Sequence, residues 1–140
     1  MPEEAVRIVL VEDNPGDVYL FGLALKETGL NYELTVIEDG AKALALVREV
    51  ERALPDLIVL DLNLPKNDGV EILEAIRKDQ RFDDVPVVVA SSSPVSVPMG
   101  KEERARVARF VGKPTELDKF LAMGQVLKEV LVESRARRDR

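Results

Sequence analysis

The chain has 140 residues, a net charge of −6, and neither cysteine nor histidine. That length suits one module with a real core, spanning 1–140, rather than a module joined to a separate output domain, and the acidic balance argues against nucleic-acid binding. Disulfides, Cys/His zinc sites, thiol nucleophiles and imidazole bases are excluded, so any chemistry must come from carboxylates, hydroxyls, amines or a hard cation.

In chain order, Met1-Pro2-Glu3-Glu4 is acidic and lacks the basic and apolar stretches of a leader, and no later apolar run reaches the roughly 18 residues of a membrane span. A cytoplasmic location is expected. Val6 to Val11 is an apolar run broken only by Arg7 and ending at Glu12-Asp13, the pattern of a buried strand with an acidic carboxyl end. Asn14 and Pro15 supply an N-cap and a first-turn proline for a helix to about Thr28, with Gly29 as its stop.

Leu34 to Glu38 alternates like a partly exposed strand. Ala43, Val47, Val50 and Leu54 then fall on one face of a second helix that Pro55-Asp56 ends. Leu57 to Leu60 is a fully apolar strand ending in Asp61, and the turn-rich stretch from Asn63 to Gly69 leads to a helix carrying Ile72, Leu73 and Ile76. Pro86 to Ala90 is a further apolar strand ending at Ser91, Lys101 to Ala108 can form a short helix, and Phe110-Val111 makes a fifth strand before Gly112-Lys113-Pro114.

Leu117, Phe120, Gly124, Leu127 and Leu131 define a last helix, with a core expected over about 5–131 and a fraying basic tail over 132–140. Continuous apolar strands alternating with helices specify a parallel sheet covered on both faces, a doubly wound α/β fold.

In such a sheet the ligand site lies beyond the carboxyl ends of the strands. Glu12-Asp13, Asp61, Ser91 and Lys113 end four of the five strands, so the fold brings three carboxylates, a hydroxyl and an ammonium to one rim. Crowded carboxylates repel unless they share a cation. Oxygen donors alone select a hard ion, and Mg²⁺, held by few carboxylates plus phosphate, suits a site that admits a phosphoryl group. The chemistry assigns Asp61 as nucleophile toward a phosphoryl donor, Lys113 as phosphoryl clamp and Ser91 as hydroxyl donor to the product.

These residues resemble the response-regulator receiver family: the acid pair Glu12-Asp13, Asp61-Leu62-Asn63-Leu64-Pro65 with Asp68-Gly69, Ser91 and Lys113-Pro114 match its motifs in order across essentially the whole chain. The resemblance implies a flavodoxin-like (βα)5 fold with strand order 2-1-3-4-5 and a Mg²⁺ site made by Glu12, Asp13, Asp61 and the backbone carbonyl of Asn63. It implies Ser91 and Phe110 as switch residues, a cis bond before Pro114, and no turnover beyond slow self-dephosphorylation. It also implies a sensor histidine kinase as partner and an output face made by the Lys101–Ala108 helix, the fifth strand and the last helix, through which a homodimer could form. Within the family the wording is similar to single-domain regulators associated with bacterial phytochromes, so a phytochrome-type kinase is the expected partner. Ser91 stands where Thr is more usual, and Pro94 and Pro98 stand where the fourth helix normally begins.

Each feature also has a plainer reading. Glu12-Asp13 alone could be a solvated strand end, Lys113 a surface lysine and Phe110 a core residue; their joint placement at strand ends is what favours a site. Two other functions compete: a small phosphatase or phosphotransferase using Asp61, for which Asn63 lacks the proton a second acid would supply, and a degenerate receiver acting as a scaffold.

Overall fold

The computed structural model describes residues 5–49, 53–64, 68–92 and 107–138. Pro94, Pro98 and Lys101 to Arg106 lie outside the described residues. Val107 and Ala108 are not helical; the Ala108 N–H already bonds the Val87 carbonyl at 2.8 Å, leading the chain into the last strand.

The described elements run β1 (Val6–Val11), α1 (Pro15–Glu27), β2 (Tyr32–Ile37), α2 (Gly40–Arg48), β3 (Leu57–Asp61), α3 (Asp68–Lys78), a single 3-10 turn (Gln80–Phe82), β4 (Val87–Ser91), β5 (Arg109–Gly112) and α4 (Leu117–Arg138). The five strands form one sheet in the order β2-β1-β3-β4-β5, with every neighbouring pair parallel. β3 and β4 are buried at every position, as central strands covered on both faces must be, whereas β2 at the edge alternates between half-buried and exposed residues up to the buried Ile37.

Strand alternation divides the core in two. Ile8, Leu10, Val59, Val88 and Ala90 point to one face, where α1 and α4 cover them through Phe21, Leu25, Phe120 and Leu127; Phe21 meets Phe120 edge to face at 5.1 Å. Val9, Val11, Ile58, Leu60 and Val89 point to the other, beneath α2 and α3 with Ala43, Val47, Ile72 and Ile76. Each such Val, Leu, Ile or Phe side chain contributes roughly 1.5–3 kcal/mol on burial. Gly124 lets α4 lie against α1: a Cβ there would overlap the Ala24 carbonyl oxygen and sit 2.8 Å from its carbon.

Three local expectations are corrected. The second helix ends at Arg48 instead of continuing to Leu54, because Glu49 turns extended (φ −75°, ψ 109°) and the Arg81 guanidinium donates to the Val47 and Glu49 carbonyls at 2.9 and 3.0 Å. The last helix does not fray after Leu131. It continues through the exposed Arg135 and Arg137 to Arg138, held by Ser134, which is buried and donates to the Asp84 carbonyl at 3.4 Å. No peptide bond among the described residues is cis, so Lys113-Pro114 is trans, the isomer a prolyl bond favours by about 0.5–1 kcal/mol.

Candidate functional site

Register builds the site. Val11 pairs with Ile37 and Leu60, Asp61 with Ala90, and Ser91 with Gly112, so the chain leaves β1, β3, β4 and β5 at one level and delivers Glu12, Asp61, Ser91 and Lys113 to a common rim. β1 stops where Asn14 begins α1, its side-chain oxygen accepting from the N–H groups of Gly16 at 2.9 Å and Asp17 at 3.2 Å. Gly69 has a steric reason: a Cβ there would lie 2.8 Å from Leu62 Cα and 2.9 Å from the Asp61 carbonyl oxygen, so only glycine lets α3 start this close to the end of β3.

At the centre stands the Lys113 ammonium. Its Nζ lies 2.6 Å from Glu12 Oε1, 3.1 Å from Asp61 Oδ2 and 3.0 Å from Asp17 Oδ2. The side chains of Glu12 and Asp61 are 0% and 3% exposed, those of Lys113 and Asp17 10% and 25%. Burial, followed by a hydrogen bond shared with Asp61, pushes the Glu12 carboxyl up to about 7, outweighing the lysine beside it. Burial alone would lower the lysine; its bonds to Glu12 and Asp17 and the charge of Asp61 outweigh that and hold it well above its ordinary value. The ammonium therefore stays charged while Glu12 takes and releases a proton near neutrality.

Glu12, Asp13 and Asp61 each present a carboxylate oxygen within 4.8 Å of the others, Asp13 from an exposed position and the other two from buried ones. An all-oxygen anionic set of this kind fits a hard divalent cation and offers nothing to a soft one. Asn63 turns back on the site: its N–H donates to Asp61 Oδ1 at 2.8 Å, its amide donates to Ser92 Oγ at 2.7 Å and its amide oxygen accepts from Ser91 Oγ at 3.2 Å. Position 63 thus bears an amide engaged with two serines and no acid that could protonate a leaving group. Phe110 is half-buried against the face under α2 and α3, one strand away from Ser91.

Sequence reasoning passes over Asp17. Its signal is the spacing: three residues into a helix capped by Asn14, it sits in the first turn beside the same rim. A cavity of about 210 Å³ beneath α2 is lined by Val11, Ile37, Val47 and Phe82 and by none of these carboxylates. The acidic site lies at the carboxyl edge of the sheet, where Asp13 is exposed beside the buried Glu12 and Asp61.

A doubly wound sheet with a lysine clamped among acids at its carboxyl edge defines a phosphoacceptor module. Residues 8–125 match the model of the response regulator receiver domain, and the chain belongs to that family. Over 90 residues it is 41% identical to the response regulator Rcp1 of Synechocystis sp. (strain ATCC 27184 / PCC 6803 / Kazusa), a match covering 61% of this chain and 61% of that protein. Among solved structures, the phosphorylated cyanobacterial phytochrome response regulator RcpA superposes with a TM-score of 0.75 at 31% identity, covering 92% of this chain and 95% of that one. The Mn²⁺-bound form of Rcp1 superposes with a TM-score of 0.72 at 30% identity, covering 88% and 91%. The acidic cluster of Glu12, Asp13 and Asp61 fits a receiver's phosphoacceptor site. Among the described residues, no helix is long and apolar enough to cross a membrane.

Proposed function

We propose that the chain is a receiver switch in a two-component relay in which Asp61 is phosphorylated by a sensor histidine kinase. The observation that carries this reading is the Lys113 ammonium seated 3.1 Å from Asp61 Oδ2 and 2.6 Å from Glu12 Oε1 at the carboxyl edge of a parallel sheet. In the reaction an Asp61 oxygen attacks phosphorus, the P–N bond of the kinase phosphohistidine breaks, and the imidazole keeps the electron pair.

Mg²⁺, held by Glu12, Asp13, Asp61 and the Asn63 backbone carbonyl, would neutralise charge on the transferring oxygens; the oxygen-only donor set and a Mn²⁺-bound relative support a divalent ion here. Lys113 would clamp the phosphoryl group. Ser91 would leave Asn63 to donate to it, and Phe110 would turn inward behind Ser91 and bias the face made by β5, α4 and the segment before β5.

The finer assignments rest on kinship and composition. Similarity to the cyanobacterial phytochrome response regulator RcpA supports a phytochrome-type kinase, and exposed Leu117 and Val132 on α4 support a homodimer through that face. The net charge of −6 supports a function without nucleic acid. A cytoplasmic, single-module regulator that only slowly hydrolyses its own aspartyl phosphate completes the reading. Incubation with Mg²⁺ and acetyl phosphate, followed by intact mass, should add one phosphoryl group to the wild type and none to Asp61→Asn; labelling that persists in the variant overturns the assignment.

A further inference from the structure

Three carboxylates surround the Lys113 ammonium: Asp17 and Asp61 accept its hydrogen bonds at 3.0 and 3.1 Å, and Glu12 Oε1 stands 2.6 Å away as an ion pair. A phosphoryl group on Asp61 must compete with these carboxylates for the ammonium. The three are unequal. Glu12 and Asp61 are 0% and 3% exposed, so stripping the lysine from either leaves a carboxylate that water cannot reach. Asp17 is 25% exposed and regains water when its lysine departs.

Its carboxylate also stands in the first turn of α1, where the helix dipole stabilises it without a partner. Its backbone N–H is already engaged by the Asn14 cap at 3.2 Å, so the residue keeps its place whether or not Lys113 is bound.

We propose that Asp17 is a positioning residue: it holds the Lys113 ammonium at the rim in the unphosphorylated protein and yields it to the phosphoryl oxygens on Asp61. This rests on the reading of Asp61 as phosphoacceptor. Asp17 touches neither that group nor the metal donors; it acts through Lys113 by setting how readily the lysine is released. Removing its charge weakens its hold on Lys113, easing release to the incoming anion and freeing the lysine to compete harder for Glu12 and Asp61.

The test is a double-mutant cycle on the full chain, comparing wild type, Asp17→Asn, Lys113→Met and the double variant by titration with Mg²⁺ and then with beryllofluoride at saturating Mg²⁺. Asp17→Asn should tighten beryllofluoride binding by about threefold to fivefold, the scale of a partly exposed ion pair, and weaken Mg²⁺ binding. A merely structural role would weaken both. In the Lys113→Met background the Mg²⁺ effect should shrink, since only the distant charge of Asp17 remains. Equal Mg²⁺ effects in both backgrounds, or weaker beryllofluoride binding in Asp17→Asn, overturn the proposal. Beryllofluoride binding that survives Asp61→Asn would overturn the phosphoacceptor reading instead, while the Mg²⁺ arm still reports whether Asp17 and Lys113 are coupled.

Discussion

Replacing Lys113 with methionine removes an ammonium that contacts Glu12, Asp61 and Asp17, at 2.6, 3.1 and 3.0 Å. Breaking a buried pair by deleting one partner costs about 3–5 kcal/mol, because the remaining charge stays buried and unpaired. Here the cost depends on pH. The Glu12 carboxyl already titrates at about 7 against an ordinary 4.5, and losing the ammonium pushes it higher. A carboxyl with a raised folded pKa binds its proton more tightly when folded, so stability falls as pH rises from 4.5 toward the folded value, by about 1.4 kcal/mol per pH unit for a fully shifted group. At pH 8 the variant should lose about 3–5 kcal/mol, and at pH 5 about 1.4 kcal/mol less, because the two proteins differ in Glu12 ionisation only over the one pH unit above about 7 while Asp61 loses its partner at both pH values. Lys113 itself titrates above this window and adds no slope within it. Mg²⁺ should reverse the loss, recovering about 2.7 kcal/mol at one hundred times its Kd. Urea unfolding of both proteins at the two pH values, with and without Mg²⁺, reads all of this. A loss below 1 kcal/mol at pH 8, or one equal at both pH values and indifferent to Mg²⁺, refutes the electrostatic account of the site.

Two further outcomes follow from other contacts. In metal-free wild type, stability should fall between pH 4.5 and about 7, by about 3 kcal/mol at most, relative to Glu12→Gln, and Mg²⁺ affinity should rise over the same range as the proton is displaced; parallel pH curves for the two proteins would remove Glu12 as the titrating group. Gly124→Ala should destabilise by about 1–3 kcal/mol despite gaining roughly 1 kcal/mol of helix propensity, because the new methyl meets the backbone of Ala24, which cannot rotate aside. A higher melting temperature in that variant would show that α1 and α4 can separate without cost.

The fold is legible because its strands are read by hydrophobicity and its helices by period. The runs Val6–Val11, Leu57–Leu60 and Val87–Ala90 are apolar at nearly every position, a pattern only a sheet covered on both faces explains. The errors fall where a distant side chain overrides local signals. Ala43, Val47, Val50 and Leu54 keep a helical period, yet Arg81 takes the carbonyls of Val47 and Glu49, and Leu54 packs on the core from outside the helix. At the other end, a basic run that looks like a solvated tail stays helical because Ser134, a polar residue in an unpromising context, is buried against the Asp84 carbonyl.

The site divides on the same principle. Glu12, Asp61, Ser91 and Lys113 each follow an apolar run directly, so once the strands are known to be parallel and in register their convergence needs no further information. Asp17 follows no strand. It reaches the rim because Asn14 and Pro15 fix where α1 begins, and its link to Lys113 spans a separation of 96 residues that no local pattern encodes. Strand ends therefore announce which groups assemble, while the balance among them is set by burial. The same ammonium meets a fully buried Glu12 and a quarter-exposed Asp17 at nearly equal distances, and only the difference in access to water decides which one can let it go.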